Sequence, residues 1–562
     1  MSTILTLHDP QTARAYYAAG YWRGDTMYAL ASRHAAARPD ACAVRDSAKR
    51  LTWKQLVGWT DALAADLHRA GLRHRSRVSV WLPNRVEAVV VLLACSRMGY
   101  VCNPSLHQNY TVAEVVQLMQ RIQTAVLFAQ RGYGADSDRN DVVTAARSIS
   151  SMKRIFRLSP AGDEGEAPQG CAAFPLIGNA PLGGALPDPD SNPDKIVYLA
   201  FTSGTTGQPK GVLHSDNTLL ANGRAMVQDW GHDERTILYS HSPLSHHIGT
   251  VAVEQSLVTG CELVVNDLPA GMTPLDWIIE TGTTYVMGVP THAIDILAEM
   301  KRRGLKQLGR VNVFYMAGSV IPPETARAFL ELGTKPQNIY GMTENGSHQY
   351  TMPDDDVEAI TTTCGKACRG YETKLWDPEN PDLETGPGRV GEIGTRGALL
   401  MLGYFDNQSA TENSFNASGW FMSGDLGQFD AKGNLQIVGR KKDVVIRGGR
   451  NIHPARIESL ALRHPAVLKA AAFPVPDPRL GERVCLAVIA RDGTRVDSDA
   501  LLRHLDTAGL PKYDMPEYFI ALDAFPLTAS GKILKRELVE WARTGRIRPA
   551  PVRWKSPQEL KP

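Results

Sequence analysis

The segment Phe201-Thr202-Ser203-Gly204-Thr205-Thr206-Gly207-Gln208-Pro209-Lys210-Gly211 constrains this chain most. It follows Ile196-Val197-Tyr198-Leu199-Ala200, an apolar, β-branched and aromatic run that reads as a buried strand. Four hydroxyls and two glycines then arrive together ahead of Lys210. Glycines let a backbone turn its N–H groups toward an anion, hydroxyls add donors, and a lysine adds a charge suited to phosphate. The segment therefore reads as a polyphosphate cradle at the end of a strand. It lacks the G-x-x-x-x-G-K-[ST] spacing of a P-loop NTPase, which argues against ordinary γ-phosphate transfer.

At 562 residues the chain is too long for one core, so two or more domains are expected. Strand-like runs (Val78–Leu82, Cys261–Val265, Tyr285–Val289, Val311–Met316) alternate with helix-like ones (Arg85–Met98, Thr291–Arg303, Pro323–Leu332). That alternation predicts α/β layers with largely parallel sheets. Residues 159–195, rich in Pro, Gly, Asp and Ala, predict a long loop before the phosphate strand. A second break falls at Asp377–Gly388 and a third near Gly439-Arg440-Lys441-Lys442. Beyond the third, smaller elements follow: helix-like Ala455–Arg463, strand-like Lys469–Val475 and Val484–Ala490, and helix-like Ser498–Thr507.

A net charge of only +2 gives no reason to expect nucleic acid as a partner. The eight cysteines are scattered, which suits free thiols in a reducing compartment; Cys364 and Cys368 have no second Cys or His pair near them to make a zinc site. Residues 1–10 carry no basic-then-apolar secretory pattern, and the longest apolar run, Ala88–Cys95, is too short to cross a bilayer. A cytoplasmic location is expected.

Further motifs stand in a recognisable order: Tyr340-Gly341-Met342-Thr343-Glu344, Gly419-Trp420-Phe421-Met422-Ser423-Gly424-Asp425, Gly439-Arg440-Lys441-Lys442-Asp443, and Pro526-Leu527-Thr528-Ala529-Ser530-Gly531-Lys532. With Leu51-Thr52-Trp53-Lys54-Gln55-Leu56 and the phosphate segment, they resemble the adenylate-forming superfamily of acyl-CoA synthetases, luciferases and peptide-synthetase adenylation domains. The resemblance implies a large N-terminal multi-layer α/β domain (1–440) that binds ATP and acid. It also implies a small mobile α+β C-terminal domain (441–562) that carries a catalytic lysine.

Residue by residue, the resemblance assigns ATP contacts to Thr202, Ser203, Gly204, Thr205, Thr206, Gly207 and Lys210, and to Gly318, Ser319, Asn338, Tyr340 and Gly341. Tyr340 offers a flat face for adenine, Asn338 meets its exocyclic amine, and Thr343 donates to the α-phosphate. Glu344 is the candidate Mg2+ ligand, a hard cation wanting oxygen donors. Asp425, an acceptor-only carboxylate, suits the ribose diol, with Arg440 as second ribose contact. Lys532 would bridge the acid and the phosphate as charge develops between them. Lys442 matches the hinge, and Gly448 and Gly449 the passage for the pantetheine arm, where a side chain would obstruct.

The acid pocket is assigned to His246, Ala317, Gly318 and Gly341. Pro243-Leu244-Ser245-His246-His247 looks closer to the form in enzymes for ring-bearing acids, and Ala317-Gly318-Ser319 departs from the more usual Gly-Gly-Ala. The implied activity is ATP-dependent ligation of a small carboxylic acid to coenzyme A through an acyl-adenylate. Cyclohexanecarboxylate- and benzoate-type acids lead, followed by medium-chain fatty acids. Two alternatives stay open: a stand-alone adenylation enzyme loading a carrier-protein thiol, and a non-catalytic nucleotide-binding protein. Lys532 is an expected target for a lysine acetyltransferase, since acetylation removes its charge, and a homodimer is left open.

Overall fold

The computed structural model describes residues 9–160, 169–178, 186–202, 209–318, 321–386, 388–527 and 533–554. The chain forms two compact units, residues 1–372 with 395–415, and residues 373–394 with 416–562.

Two sheets organise the first unit. A seven-stranded sheet contains β1 (Ile196–Thr202) and β2 (Lys210–Ser215), an antiparallel hairpin whose last pair is Thr202 with Lys210. Leu199 and Leu213 of this hairpin pack with Trp81 and Leu127 in one apolar cluster. The phosphate segment is therefore the hairpin's connection. A helix, α1 (Asp216–Trp230), leaves β2 directly; Ser215 and Thr218 cap it reciprocally, and Gly231 ends it in the left-handed conformation at φ 66°. A second helix, α2 (His247–Thr259), stops in the same way at Gly260.

The nine-stranded sheet is parallel through its middle, from Cys42–Arg45 across Glu262–Val265, Ile237–Ser240 and Tyr285–Gly288 to β3 (Val313–Ala317) and β4 (Lys335–Met342). An antiparallel strand, β5 (Gly346–Tyr350), then pairs with β4. Phe314, Met316 and Phe329 belong to the apolar cluster on one face of this sheet. The expected strand and helix runs are present within a few residues: Arg77–Trp81, Glu262–Val265, Tyr285–Gly288, Val86–Met98, Pro290–Arg303 and Pro323–Glu331. The described parts of 159–195 hold no helix or extended strand, as their composition predicts; Trp59 Nε1 pins them by donating to the Pro175 carbonyl at 2.6 Å.

In the second unit, β6 (Phe421–Phe429) and β7 (Leu435–Arg440) form a hairpin that ends by pairing Asp425 with Arg440. A short 3₁₀ turn, Lys441–Asp443, follows. A six-stranded sheet is built around Gly481–Ala490, with Val467–Asp477 antiparallel on one side and Tyr518–Ala521 parallel on the other. Helices Pro454–Ala461 and Ser498–Thr507 close one core over Leu486 and Val488; Lys535–Arg543 supplies Leu538 to another with Phe473 and Cys485. Among the described residues no helix is long and apolar enough to cross a membrane.

Candidate functional site

Glu344 stands two residues past the end of β4, and three neighbours fix its surroundings. The Tyr404 hydroxyl donates to Glu344 Oε1 at 3.0 Å. The Lys210 ammonium sits 4.6 Å from the centroid of the Tyr404 ring, a cation–π contact. The Glu344 carbonyl accepts from the Met401 amide at 2.7 Å. Burial, followed by the nearby Glu344 charge, pushes the Tyr404 phenol far above its usual range, so it stays a donor. A lysine, a tyrosine and a carboxylate are thus held in series where the phosphate hairpin meets the end of β4.

Thr343 is positioned through its backbone. His214, the fifth residue of β2, lies within 2.7 Å of the Thr343 carbonyl at Nε2 and within 3.0 Å of Thr218 Oγ1 at Nδ1. Sequence reading singled out neither His214 nor Tyr404. Tyr404 stands alone after Gly403 with no motif spacing, and His214 reads as an ordinary polar residue on a strand. Strand pairing sets Tyr404 beside Val212 and Gly403 beside Leu213, next to His214, and side-chain bonds then join both residues to the end of β4 in the other sheet.

Asn338 and Tyr340 share the same face of β4. The Asn338 amide nitrogen already donates to the carbonyls of Ile360, at 3.3 Å, and Thr363, at 2.7 Å. Its side-chain oxygen thereby faces the remaining partner as an acceptor, with the Cys364 thiol 3.7 Å away. The Cys364 thiol is pushed up to about 12 by burial, so it is neutral, and Cys368 is likewise buried and free. Gly341 has no room for a side chain: a Cβ there would strike the Gly346 carbonyl oxygen. Gly318 takes φ 91° immediately after Ala317 ends β3.

His246 is the N-terminal flanking residue of α2 and does not cap it through its side chain. Its ring centroid stands 6.4 Å from that of His107, which meets Ser245 Oγ at 3.1 Å. Burial holds the His107 imidazole down near 4. His247, the next residue, is fully buried, stacks on His214 with centroids 5.5 Å apart, and meets the Tyr198 hydroxyl at 3.3 Å. Burial first, then the neighbouring histidines, holds it neutral.

In the second unit Asp425 and Arg440 face each other across β6 and β7, with Nε and Oδ1 3.2 Å apart. Lys442 lies in the 3₁₀ turn directly after Arg440. Gly448 and Gly449, at φ 57° and 82°, form the two-residue connection between Val445–Arg447 and Arg450–Ile452, whose last pair is Arg447 with Arg450. Two successive positive φ angles are what a type I′ hairpin requires. Ser203, Gly204, Thr205, Thr206, Gly207, Ser319 and Lys532 lie outside the described residues. The described flanks of Lys532, Leu527 and Ile533, pair as an antiparallel bridge.

Comparison with known proteins follows the same outline. The family model for AMP-binding enzymes matches residues 31–405, and the model for the AMP-binding enzyme C-terminal domain matches 456–532. The chain is 28% identical to a medium-chain fatty-acid–CoA ligase of Escherichia coli (strain K12), over 95% of this chain and 93% of the relative. It is 29% identical to a 2-hydroxy-7-methoxy-5-methyl-1-naphthoate–CoA ligase of Streptomyces carzinostaticus, over 94% and 95%. Among solved structures, ATP-bound MatB from Rhodopseudomonas palustris superposes with a TM-score of 0.80 at 26% identity, covering 92% of this chain and 99% of that one.

Proposed function

The chain belongs to the AMP-binding enzyme family, and from that premise we propose that it is an ATP-dependent carboxylic acid:CoA ligase. In the first step a carboxylate oxygen attacks the α-phosphorus of ATP, the bond to the β-phosphate oxygen breaks, and pyrophosphate leaves. In the second the CoA thiol, giving up its proton, attacks the acyl carbon, and the bond to AMP breaks. The observation that carries this reading is the series Lys210, Tyr404 and Glu344, in which one tyrosine meets a cation at its ring and an anion at its hydroxyl.

Within that scheme Lys210 and the loop before it bind phosphates, Thr343 donates to the α-phosphate, and the Asn338 oxygen accepts from the adenine amine beside the Tyr340 ring. Asp425 accepts from the ribose hydroxyls, with Arg440 next to it. Lys532 bridges acid and phosphate and stabilises the charge that grows between them. His246 borders the acid with Ala317, Gly318 and Gly341. Glu344 supplies carboxylate oxygens, one already oriented by Tyr404, and no cluster of three or more His, Cys, Asp or Glu side chains able to cage a metal occurs among the described residues. That donor set suits a magnesium ion carried mainly by phosphate oxygens and water. Bound with the nucleotide, the ion would withdraw charge from those oxygens.

We place the moving part at 441–562, with Lys442 as its hinge: Arg440 ends a paired strand and a short 3₁₀ turn begins at the next residue. Gly448 and Gly449 then border the pantetheine passage. The same reading includes an assembly of two copies and acetylation of Lys532, which would remove its charge. The relatives' names, one a fatty acid and one an aromatic acid, support the two acid classes favoured by the Pro-Leu-Ser-His segment: a small ring acid or a medium-chain acid. A cytoplasmic setting suits a chain whose eight cysteines are all free.

Pyrophosphate release across cyclohexanecarboxylate, benzoate, hexanoate, decanoate and several amino acids, with and without CoA, tests the reading. CoA-dependent turnover with a ring or medium-chain acid is expected. Release indifferent to CoA would point to a carrier-protein thiol as acceptor, and silence with every acid would favour a nucleotide-binding protein without this activity.

A further inference from the structure

One buried carboxyl group has no role in the scheme above. Glu254 on α2 is fully buried, and neither of its side-chain oxygens has a hydrogen-bond partner. It is two turns along from His247, with Thr250 between them, so the three project from one face of the helix. His247 and Thr250 both meet the hydroxyl of Tyr198 on β1, at 3.3 and 3.4 Å.

Packing fixes where Glu254 leaves its helix. Gly223 of α1 lies against the root of the Glu254 side chain; a Cβ there would come within 2.9 Å of the Glu254 backbone carbonyl carbon and Cβ. The neighbouring Asn222 brackets Ser347 of β5, accepting from its amide at 2.9 Å and donating to its carbonyl at 3.1 Å. Ser347 Oγ in turn lies 2.8 Å from the Tyr315 hydroxyl. Tyr315 shares a face of β3 with Ala317, one step deeper in the sheet. Through Gly223, Asn222 and Ser347 the packing links Glu254 to Tyr315, which stands two residues before Ala317 on β3.

Burial alone drives the Glu254 carboxyl far above the usual carboxylate range. A neutral carboxyl offers one O–H donor and one free acceptor oxygen. Left unpaired in an apolar setting it is costly, and leucine in its place would be the cheaper filling.

Resting on the ligase reading, we propose that Glu254 is a specificity-determining residue at the inner end of the acid pocket, selecting acids whose end remote from the reacting carboxylate carries a hydroxyl or oxo oxygen. A hydroxyl donates to the carboxyl's carbonyl oxygen and accepts from its O–H; an oxo oxygen accepts from the O–H alone. A purely hydrocarbon acid leaves both Glu254 oxygens unpaired. Sites built to bond a hydroxyl discriminate strongly against analogues that lack it.

The test is pyrophosphate release by the full chain with matched pairs: para-hydroxybenzoate against benzoate, and ω-hydroxydecanoate against decanoate. We expect a kcat/KM at least about tenfold higher for the oxygenated member of the pair that fits. Glu254→Leu should erase or invert that preference while holding or raising the melting temperature, and Glu254→Gln, which keeps a donor and an acceptor, should retain most of it. Equal use of both members by the parent chain would overturn the proposal and leave the ligase reading standing. An undiminished preference in folded Glu254→Leu would do the same, as expected if the carboxyl merely holds a buried water. Silence with every acid would overturn the ligase reading and this proposal with it.

Discussion

At the scale of single residues, the site is a set of groups held by partners that no motif announces. Glu344 and Thr343 were legible because they close a run of fixed order; what orients them was not. Tyr404 and His214, neighbours through strand pairing, reach them by side-chain bonds between two sheets, and contacts between distant segments leave no local spacing to read. Tyr404→Phe tests the arrangement. It removes a hydrogen bond to a charged group, worth about 1.5–3 kcal/mol, while keeping the ring under Lys210. Adenylate formation should fall about tenfold or more and require more magnesium to saturate; an unchanged magnesium dependence would mean that Glu344 is oriented without it. Gly341 gives a steric counterpart. Gly341→Ala should lose activity through displacement of β4 against β5, read as a lowered melting temperature together with weaker ATP binding, because its Cβ has only the Gly346 carbonyl to meet.

Elements with clear punctuation were legible, and those stabilised by distant partners were less so. The helix Ser498–Thr507 begins and ends where its sequence predicts, with Asp497 accepting from the Ala500 amide at its start. By contrast β4 carries Pro336, Gln337 and Asn338 in the body of a parallel sheet, residues that argue against a central strand. Tertiary pairing with β3 overrides that preference. The start of α1 is held by a buried ion pair, Lys195 to Asp216 at 2.7 Å, with Asp216 also accepting from the Met27 amide and Ser96. Lys195→Met should destabilise the first unit by about 3–5 kcal/mol, since it leaves a buried carboxylate uncompensated; a urea midpoint within error of the parent would refute this. In the second unit the Gly448-Gly449 hairpin has a backbone need and a proposed functional one. Gly449→Leu adds about 1–2 kcal/mol of left-handed strain. It should leave pyrophosphate release from acid and ATP intact while slowing CoA consumption. Thioester formation at the parent rate would place the pantetheine passage elsewhere.

For the whole molecule, the sequence motifs and the family comparison agree on an adenylate-forming α/β enzyme with a smaller C-terminal part. The order of the motifs made this legible, since each marks a chemical task that a random chain would not reproduce in series. The acid's identity was not legible, because residues far apart in the chain, such as the proposed Glu254, meet only through folding. Lys532 carries the main prediction at this scale. Lys532→Ala should abolish adenylate formation yet largely spare thioester formation from supplied acyl-adenylate, and equal loss of both would remove its assigned role. The most direct test of the account is to follow one reaction of acid, ATP and CoA to completion and quantify every product. Acyl-CoA, AMP and pyrophosphate in equal amounts are predicted. ADP with phosphate, or acyl-adenylate accumulating with no thioester while CoA is present, would contradict the proposed ligase.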